Sequence, residues 1–220
     1  MNTIHKISIL GCGWIGKRLK ETLVGDVFCL SRDIQDNVQQ GYYACDVFII
    51  AIPPRDDYLE VLEASVTKLS EKTQLILLSS ISFYDEKNSV IEAETIVQKM
   101  KPDVVVLRLG GLMGYDRIAG KYTAGKVLTA NSGTNYVHRD DVLGVIESII
   151  NNEVRAEVFD LVAPIQSTKK TIFTQNAKKF GFEKTVFLEL EEPSKALSPT
   201  KLCNILGYAF KKSDVLKFWD

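Results

Sequence analysis

The chain has 220 residues, of which 45% are hydrophobic and 25% charged, and its formal net charge is −1. That length allows one large α/β domain, or a domain with a small lobe, around a sizeable core. The near-neutral charge argues against a generic electrostatic grip on nucleic acid or on an anionic membrane surface.

The start, MNTIHKISIL, passes straight into an apolar strand, without the apolar core or cleavage pattern of a signal segment. No window reaches the ~18–20 consecutive apolar residues of a membrane span. A reduced, cytoplasmic setting is therefore expected. Short β-branched runs at Ile7–Leu10, Val27–Leu30, Val47–Ile52, Leu75–Ser79 and Val104–Leu109 predict strands. They are nearly continuous rather than alternating, the pattern of parallel strands covered on both faces. Between them, Trp14–Leu23, Asp57–Leu69 and Ser89–Met100 have helical period. In the second, Leu59, Leu62, Val66 and Leu69 form one apolar stripe. This alternation predicts right-handed βαβ crossovers and an α/β fold: a Rossmann-like doubly wound parallel sheet. The connection from Arg32 to Cys45 holds at most a helical fragment, Asp33–Gln40, where a standard Rossmann half fits a helix and a third strand. That part is expected to be trimmed.

After Leu109 the pattern changes. Gly110, Gly111, Gly114, Gly120 and Gly125 predict a loop-like stretch. A helix at Arg139–Ile150, a strand at Val158–Val162, a helix at Thr168–Phe180 stopped by Gly181 and a strand at Val186–Leu190 follow. A short helix, Ser198–Leu206, is expected with Ser198 as N-cap and Pro199 at the first helical position. Of the four cysteines, Cys12, Cys29 and Cys45 lie in or beside apolar stretches and read as small buried thiols. With Cys203 they form no C-x-x-C pair, and no histidine cluster accompanies them, so no metal is expected.

The run ISILGCGWIG puts Gly11, Gly13 and Gly16 at G-x-G-x-x-G spacing between a strand and a helix. Gly11 permits the tight turn, Gly13 lets backbone approach a pyrophosphate, and Gly16 lets the helix pack close to the strand. The helix N-terminus, with Cys12, Trp14 and Ile15 filling the loop, offers N–H groups to the phosphates. The competing reading is a purely structural glycine turn. The second strand ends in Ser31–Arg32, where NAD-specific sites place an acidic residue on the ribose. A hydroxyl and a guanidinium fork suit a 2′-phosphate, which favours NADP over NAD. The alternative is a solvated Arg32 with Asp33 on the ribose. The chain 1–220 thus reads as a single NAD(P)-binding Rossmann domain. Residues 110–135 and 163–220 are expected to add a small C-terminal substrate lobe.

Taken together, these motifs resemble the extended short-chain dehydrogenase/reductase family, the NAD-dependent epimerase/dehydratase-like proteins, and its small atypical members above all. GCGWIGKRL is similar to the cofactor loop, with the family's G-x-x-G-x-x-G tightened. IIAIPP (Ile49–Pro54) is similar to the segment on the adenine-ribose side, and LLSSISFYD (Leu77–Asp85) to the S-S-x-x-V-Y-G signature. VVLRLGGLMG (Val105–Gly114) is similar to the segment beside the nicotinamide. NYVHRDDVLGVI (Asn135–Ile146) is similar to the V-H-V-x-D-V-A segment. FDLVAP, KKFGF and SPTKLCNILGY are similar to the C-terminal strand, helix and last helix of the substrate lobe. The resemblance implies cofactor contacts at Ala51, Ile52, Pro53, Ser79 and Gly110, and a catalytic serine at Ser80. The competing role for Ser80 is capping local backbone.

The departure lies on the next helix. Active members carry there a Tyr that transfers a proton and, four residues on, a Lys that lowers its pKa from about 10. Asp85 to Met100 contains no tyrosine. Alignment on Glu92/Glu94 leaves Glu86 and Val90 near those positions; alignment on Lys99 leaves Thr95. A Tyr or Lys among Tyr115, Lys121, Tyr122 and Lys126 is the candidate substitute. Tyr84 is expected to be structural. His138 reads more readily as a satisfied structural residue than as a base, and Asp140 and Asp141 as caps of the following helix. The expectation is an NAD(P)-binding oxidoreductase or epimerase of altered mechanism acting on a small molecule, without nucleic acid or membrane. A non-catalytic redox sensor or scaffold is the alternative reading, and monomer against homodimer stays open.

Overall fold

A computed structural model describes residues 5–30, 39–192 and 195–220. Ser31, Arg32 and most of the Asp33–Gln40 fragment lie outside the described residues. The chain forms two compact units, Met1–Arg108 with Val145–Phe159, and Leu109–Gly144 with Asp160–Asp220.

In the first unit, β1 (Lys6–Leu10), α1 (Gly16–Thr22), β2 (Asp26–Leu30), α2 (Gln39–Tyr43), β3 (Val47–Ile50), α3 (Tyr58–Val66), β4 (Gln74–Ser80), α4 (Asn88–Met100) and β5 (Val105–Leu109) follow one another. The sheet order is β2-β1-β3-β4-β5-β9, with β9 at Val158–Leu161. The pairs β1–β2, β1–β3 and β3–β4 are parallel. This is the expected Rossmann-like α/β sheet. Among the described residues nothing pairs outside β2, in keeping with a trimmed first half.

The continuous apolar runs explain the central strands. Every residue of β3 is at most 2% exposed, because helices cover the sheet. Leu62 and Val66 of α3 and Val97 of α4 pack on Phe48, Ile50, Leu75 and Val106. Each such side chain contributes about 1.5–3 kcal/mol by burial. The Ser8 hydroxyl, fully buried, donates to the Tyr42 carbonyl at 2.6 Å, which fastens α2 to β1. The Gln74 amide donates to the carbonyls of Ile149 (3.2 Å) and Val154 (2.7 Å) and so closes the end of α5 (Arg139–Asn151).

The second unit corrects the loop expectation after Leu109. That stretch contains β6 (Gly111–Met113), β7 (Val127–Ser132) and β8 (Tyr136–His138). β6 pairs with β8, and β7 with β10 (Val186–Glu192), both in parallel. Gly111 sits in a strand because the Tyr136 ring fills the space of a side chain; a Cβ would meet it at 2.5 Å. α6 (Lys169–Phe180) is capped by the Thr168 hydroxyl, which accepts from the Thr171 N–H at 3.2 Å, and ends on Gly181 at φ 71°. α7 spans Thr200–Leu206, so Pro199 precedes the helix instead of opening it. Ser198 still accepts from the Thr200 N–H, at 3.3 Å. Ile172, Phe173, Phe187, Val215 and Phe218 make this unit's core. Among the described residues no helix is long and apolar enough to cross a membrane.

Candidate functional site

The chain leaves β1 toward β2 on one side and reaches β3 on the other. The carboxyl ends of β1 and β3 are therefore the switch point of the sheet, the place where open α/β sheets receive ligands. The glycine motif stands there. The Gly11 N–H donates to the Leu30 carbonyl (2.8 Å) and the Ala51 N–H to the Leu10 carbonyl (2.7 Å), extending the ladder past the strand ends.

The three glycines have separable reasons to be glycine. Gly11 has φ 115°, and a Cβ on it would meet the Ala51 carbonyl oxygen at 2.6 Å. A Cβ on Gly16 would run into the Gly11 carbonyl oxygen. Both are demanded by the protein itself. A Cβ on Gly13 would meet nothing within 4 Å. The expected assignment of one glycine to the turn and one to helix packing is thus visible in the contacts. Gly13 is exposed backbone with open space before it. Helical bonding begins on it, with the Lys17 N–H donating to its carbonyl at 3.0 Å. Ile15 is 7% exposed, so its side chain belongs to the core. Ile52 is buried beside Gly11.

One expectation fails in this loop. Cys12 and Cys29 are not separate buried thiols but a disulfide, with Cα atoms 5.6 Å apart. Cys12 is exposed and Cys29 half-buried. Parallel pairing sets Cys29 beside Ile9, and the turn after β1 returns the chain over the end of β2. Cys45 and Cys203 are free. Burial pushes the Cys45 thiol up to about 11.

Ser79 and Ser80 end β4. The Ser79 hydroxyl donates to Glu94 Oε1 at 2.5 Å. Ser80 Oγ accepts from the Ser82 N–H at 3.2 Å, lies 2.6 Å from Ser82 Oγ and caps the 3-10 turn Ile81–Asp85. Glu94, 1% exposed on α4, is held by Arg108 of β5. The Arg108 Nη1 also donates to the Tyr84 hydroxyl at 3.0 Å, and the guanidinium lies 3.4 Å from the Phe83 ring centroid. Tyr84 is thereby tied to the Arg108–Glu94 pair. The sequence reading missed this network. Its signal was an arginine inside the apolar run VVLRL, which must bring a counter-charge indoors. Val90 is 3% exposed, and Glu86 stands at φ 56° after the turn.

Gly110 lies in the second unit, where a Cβ would strike the Asn135 carbonyl; its packing role is explicit. His138 is 3% exposed, and its Nδ1 accepts from the Asp140 N–H at 3.2 Å. Burial holds its pKa below 6.5. The Tyr115 hydroxyl donates to both Asp140 oxygens (2.9 and 3.0 Å), which pushes the phenol's pKa up. Asp141 does not serve as a helix cap. It is fully buried and accepts from the Tyr208 hydroxyl (3.1 Å) and from the N–H groups of Lys211 (2.7 Å) and Lys212 (3.0 Å). The first turn of α5 leans on the His138 imidazole instead. Tyr122 is 75% exposed.

No protein-family profile matches the chain. Protein YeeZ of Escherichia coli strain K12 is 23% identical, over 97% of this chain and 98% of its own length. Among solved structures, a short-chain dehydrogenase/reductase superfamily protein of Agrobacterium tumefaciens with bound NAD has a TM-score of 0.75 at 12% identity, covering 96% of this chain and 94% of that one. RMD of Pseudomonas aeruginosa, complexed with NADPH, has a TM-score of 0.69 at 11% identity, covering 97% of each chain. UDP-N-acetylglucosamine 4-epimerase of Bacillus cereus has a TM-score of 0.68 at 13% identity, covering 97% of this chain and 98% of that one. The shared property is the fold.

Proposed function

We propose that this chain is an epimerase/dehydratase-like member of the extended short-chain dehydrogenase/reductases and binds a nicotinamide dinucleotide, NADP in preference to NAD. The observation that carries the reading is Gly13. Two glycines of the motif are required by protein contacts, while the third faces open space at the switch point of the sheet. That is the cradle a pyrophosphate needs and a side chain would fill. The donor chemistry fits the rest of the cofactor. Backbone of Gly11–Gly16 takes the phosphates, Ala51–Pro53 flank the adenosine, and Ser31 with Arg32 hold a 2′-phosphate. Solved structures of the same fold with bound NAD and with NADPH support a dinucleotide here.

When bound, the nicotinamide supplies hydride transfer. The chain's own part is an altered mechanism. α4 has no tyrosine to hand over a proton, so the donor must come from elsewhere. Ser80, at the end of β4, would hydrogen-bond a carbonyl or hydroxyl oxygen of a small substrate. A second reading, a non-catalytic dinucleotide-binding sensor or scaffold, is favoured by the internal commitments of both serine hydroxyls.

Fluorescence titration with NADPH and NADH tests the reading, using Trp14 inside the loop as reporter. Saturable binding with NADPH the tighter is expected; no saturable change with either would overturn it. Turnover of NADPH with a panel of small carbonyl compounds then separates the enzyme from the sensor.

A further inference from the structure

The sheet register fixes what stands at its carboxyl edge. Leu10 of β1, Ile50 of β3 and Leu77 of β4 lie in one row across neighbouring strands. Ser79 is two residues past that row, and β4 stands two strands from β1, about 10 Å away at the usual strand spacing. Adenosine passes from the phosphate turn toward β2, so the nicotinamide half runs the other way, over β3 toward the end of β4. β4 is buried up to Leu78 and half-buried at Ser79 and Ser80, its first side chains within reach of a ligand.

The hydrogen of the Ser79 hydroxyl is already committed to Glu94 Oε1, at 2.5 Å. Glu94 does not need that bond to be held, since Arg108 alone gives it three. What the bond does is orient the hydroxyl. A carboxylate gripped by a guanidinium accepts and does not donate, so Ser79 Oγ keeps only lone pairs for a ligand. On the nicotinamide half, ribose hydroxyls both donate and accept, whereas the carboxamide nitrogen only donates. It is the group an acceptor-only partner selects. We infer that Ser79 Oγ accepts a hydrogen bond from the carboxamide N–H of the nicotinamide, and that Glu94 is the positioning residue that makes the site choose an amide over an acid. The inference rests on the dinucleotide reading and holds whether or not hydride transfer follows. A pyridine carrying a carboxylate instead has no hydrogen to offer. It sets lone pair against lone pair and leaves Ser79 Oγ unpaired, with the Glu94 charge behind it.

The test is a fluorescence titration of the full chain with NADP+ and with nicotinic acid adenine dinucleotide phosphate, in which the carboxylate replaces the carboxamide. The wild type is expected to bind NADP+ about tenfold tighter or more. Ser79→Ala leaves the Arg108–Glu94 pair in place and should bring the two Kd values within about twofold. In Glu94→Gln, its fold checked by circular dichroism, Arg108 takes the amide oxygen, the amide N–H turns to Ser79, and the Ser79 hydrogen is released to the ligand. The ratio should then fall toward the acid. A wild-type ratio near one, or a ratio kept in Ser79→Ala, overturns the assignment and leaves the dinucleotide reading standing. A ratio unchanged in Glu94→Gln overturns the part given to Glu94. No saturable binding of NADP+ overturns the dinucleotide reading, and this assignment with it.

Discussion

Arg108 grips Glu94 through three hydrogen bonds, Nε to both carboxylate oxygens at 3.1 Å and Nη2 to Oε2 at 2.8 Å. The Glu94 side chain is only 2% exposed, so its charge has no solvent to fall back on. Removing one partner of such a pair leaves a buried charge uncompensated, which costs about 3–5 kcal/mol. Arg108→Met should therefore lower the urea-unfolding free energy by about that much. The double variant with Glu94→Leu should recover most of the loss, because two apolar groups of similar volume can replace a buried pair at little cost. A double variant no more stable than the single one would show that the pair itself is not the source.

The separable roles of the glycines give opposite expectations for two small changes. Gly16→Ala drives a methyl into the Gly11 carbonyl, and overpacking against backbone should destabilise by about 1–3 kcal/mol or more. In Gly13→Val the new Cβ meets no protein atom within 4 Å. The substitution should leave thermal stability nearly intact while it weakens NADPH binding about 100-fold, since the isopropyl group stands where a pyrophosphate would dock. Calorimetry paired with titration checks both. NADPH binding unimpaired in Gly13→Val would remove the cradle.

In the proposed reading, nucleotide preference rests on Arg32, which follows β2 in sequence. A hydrogen bond to a charged phosphate contributes about 1.5–3 kcal/mol, or ~10–100-fold in affinity. Arg32→Ala should weaken NADPH by that factor and leave NADH nearly unchanged. Equal losses for the two nucleotides would place Arg32 off the 2′-position.

Legibility in the sequence followed the range of the forces involved. β1, β3 and β4 could be read because burial on both faces leaves continuous apolar runs, and the loop because its glycines fall at fixed local spacing. β6 and β8 are three residues each, and Gly111 inside β6 answers to the Tyr136 ring, a contact across 25 positions. Asp141 has a local signature as a cap, yet its partners stand about 70 residues downstream. The Cys12–Cys29 bridge, 17 residues in span, has no spacing rule, since parallel pairing of β1 with β2 creates the approach. The Arg108–Glu94 pair was legible as a demand, a charge in a buried strand, without naming the residue that meets it.

His138 supplies a pH dependence whose sign follows from its surroundings. The ring is 3% exposed and packs against Tyr115 and Phe218. Its Nδ1 accepts a hydrogen bond, so the folded protein needs that nitrogen unprotonated. Burial lowers the pKa below 6.5, with Lys212 and Arg139 adding to the shift and Asp140 and Asp141 opposing it. Above 6.5 the ring is neutral in folded and unfolded chains alike, and its contribution is flat. Below 6.5 the unfolded chain takes up a proton that the folded chain resists. Stability therefore falls as pH drops from 6.5 toward the folded value, with a slope of at most about 1.4 kcal/mol per pH unit for one group. Asn at this position keeps an acceptor for the Asp140 N–H but does not titrate. Urea unfolding from about pH 7.5 to about pH 5.5 should give a shallower pH slope for His138→Asn than for the wild type. His5 is common to both proteins and drops out of the difference. Parallel slopes would mean that the ring exchanges its proton as easily folded as unfolded, against the burial that sets this argument.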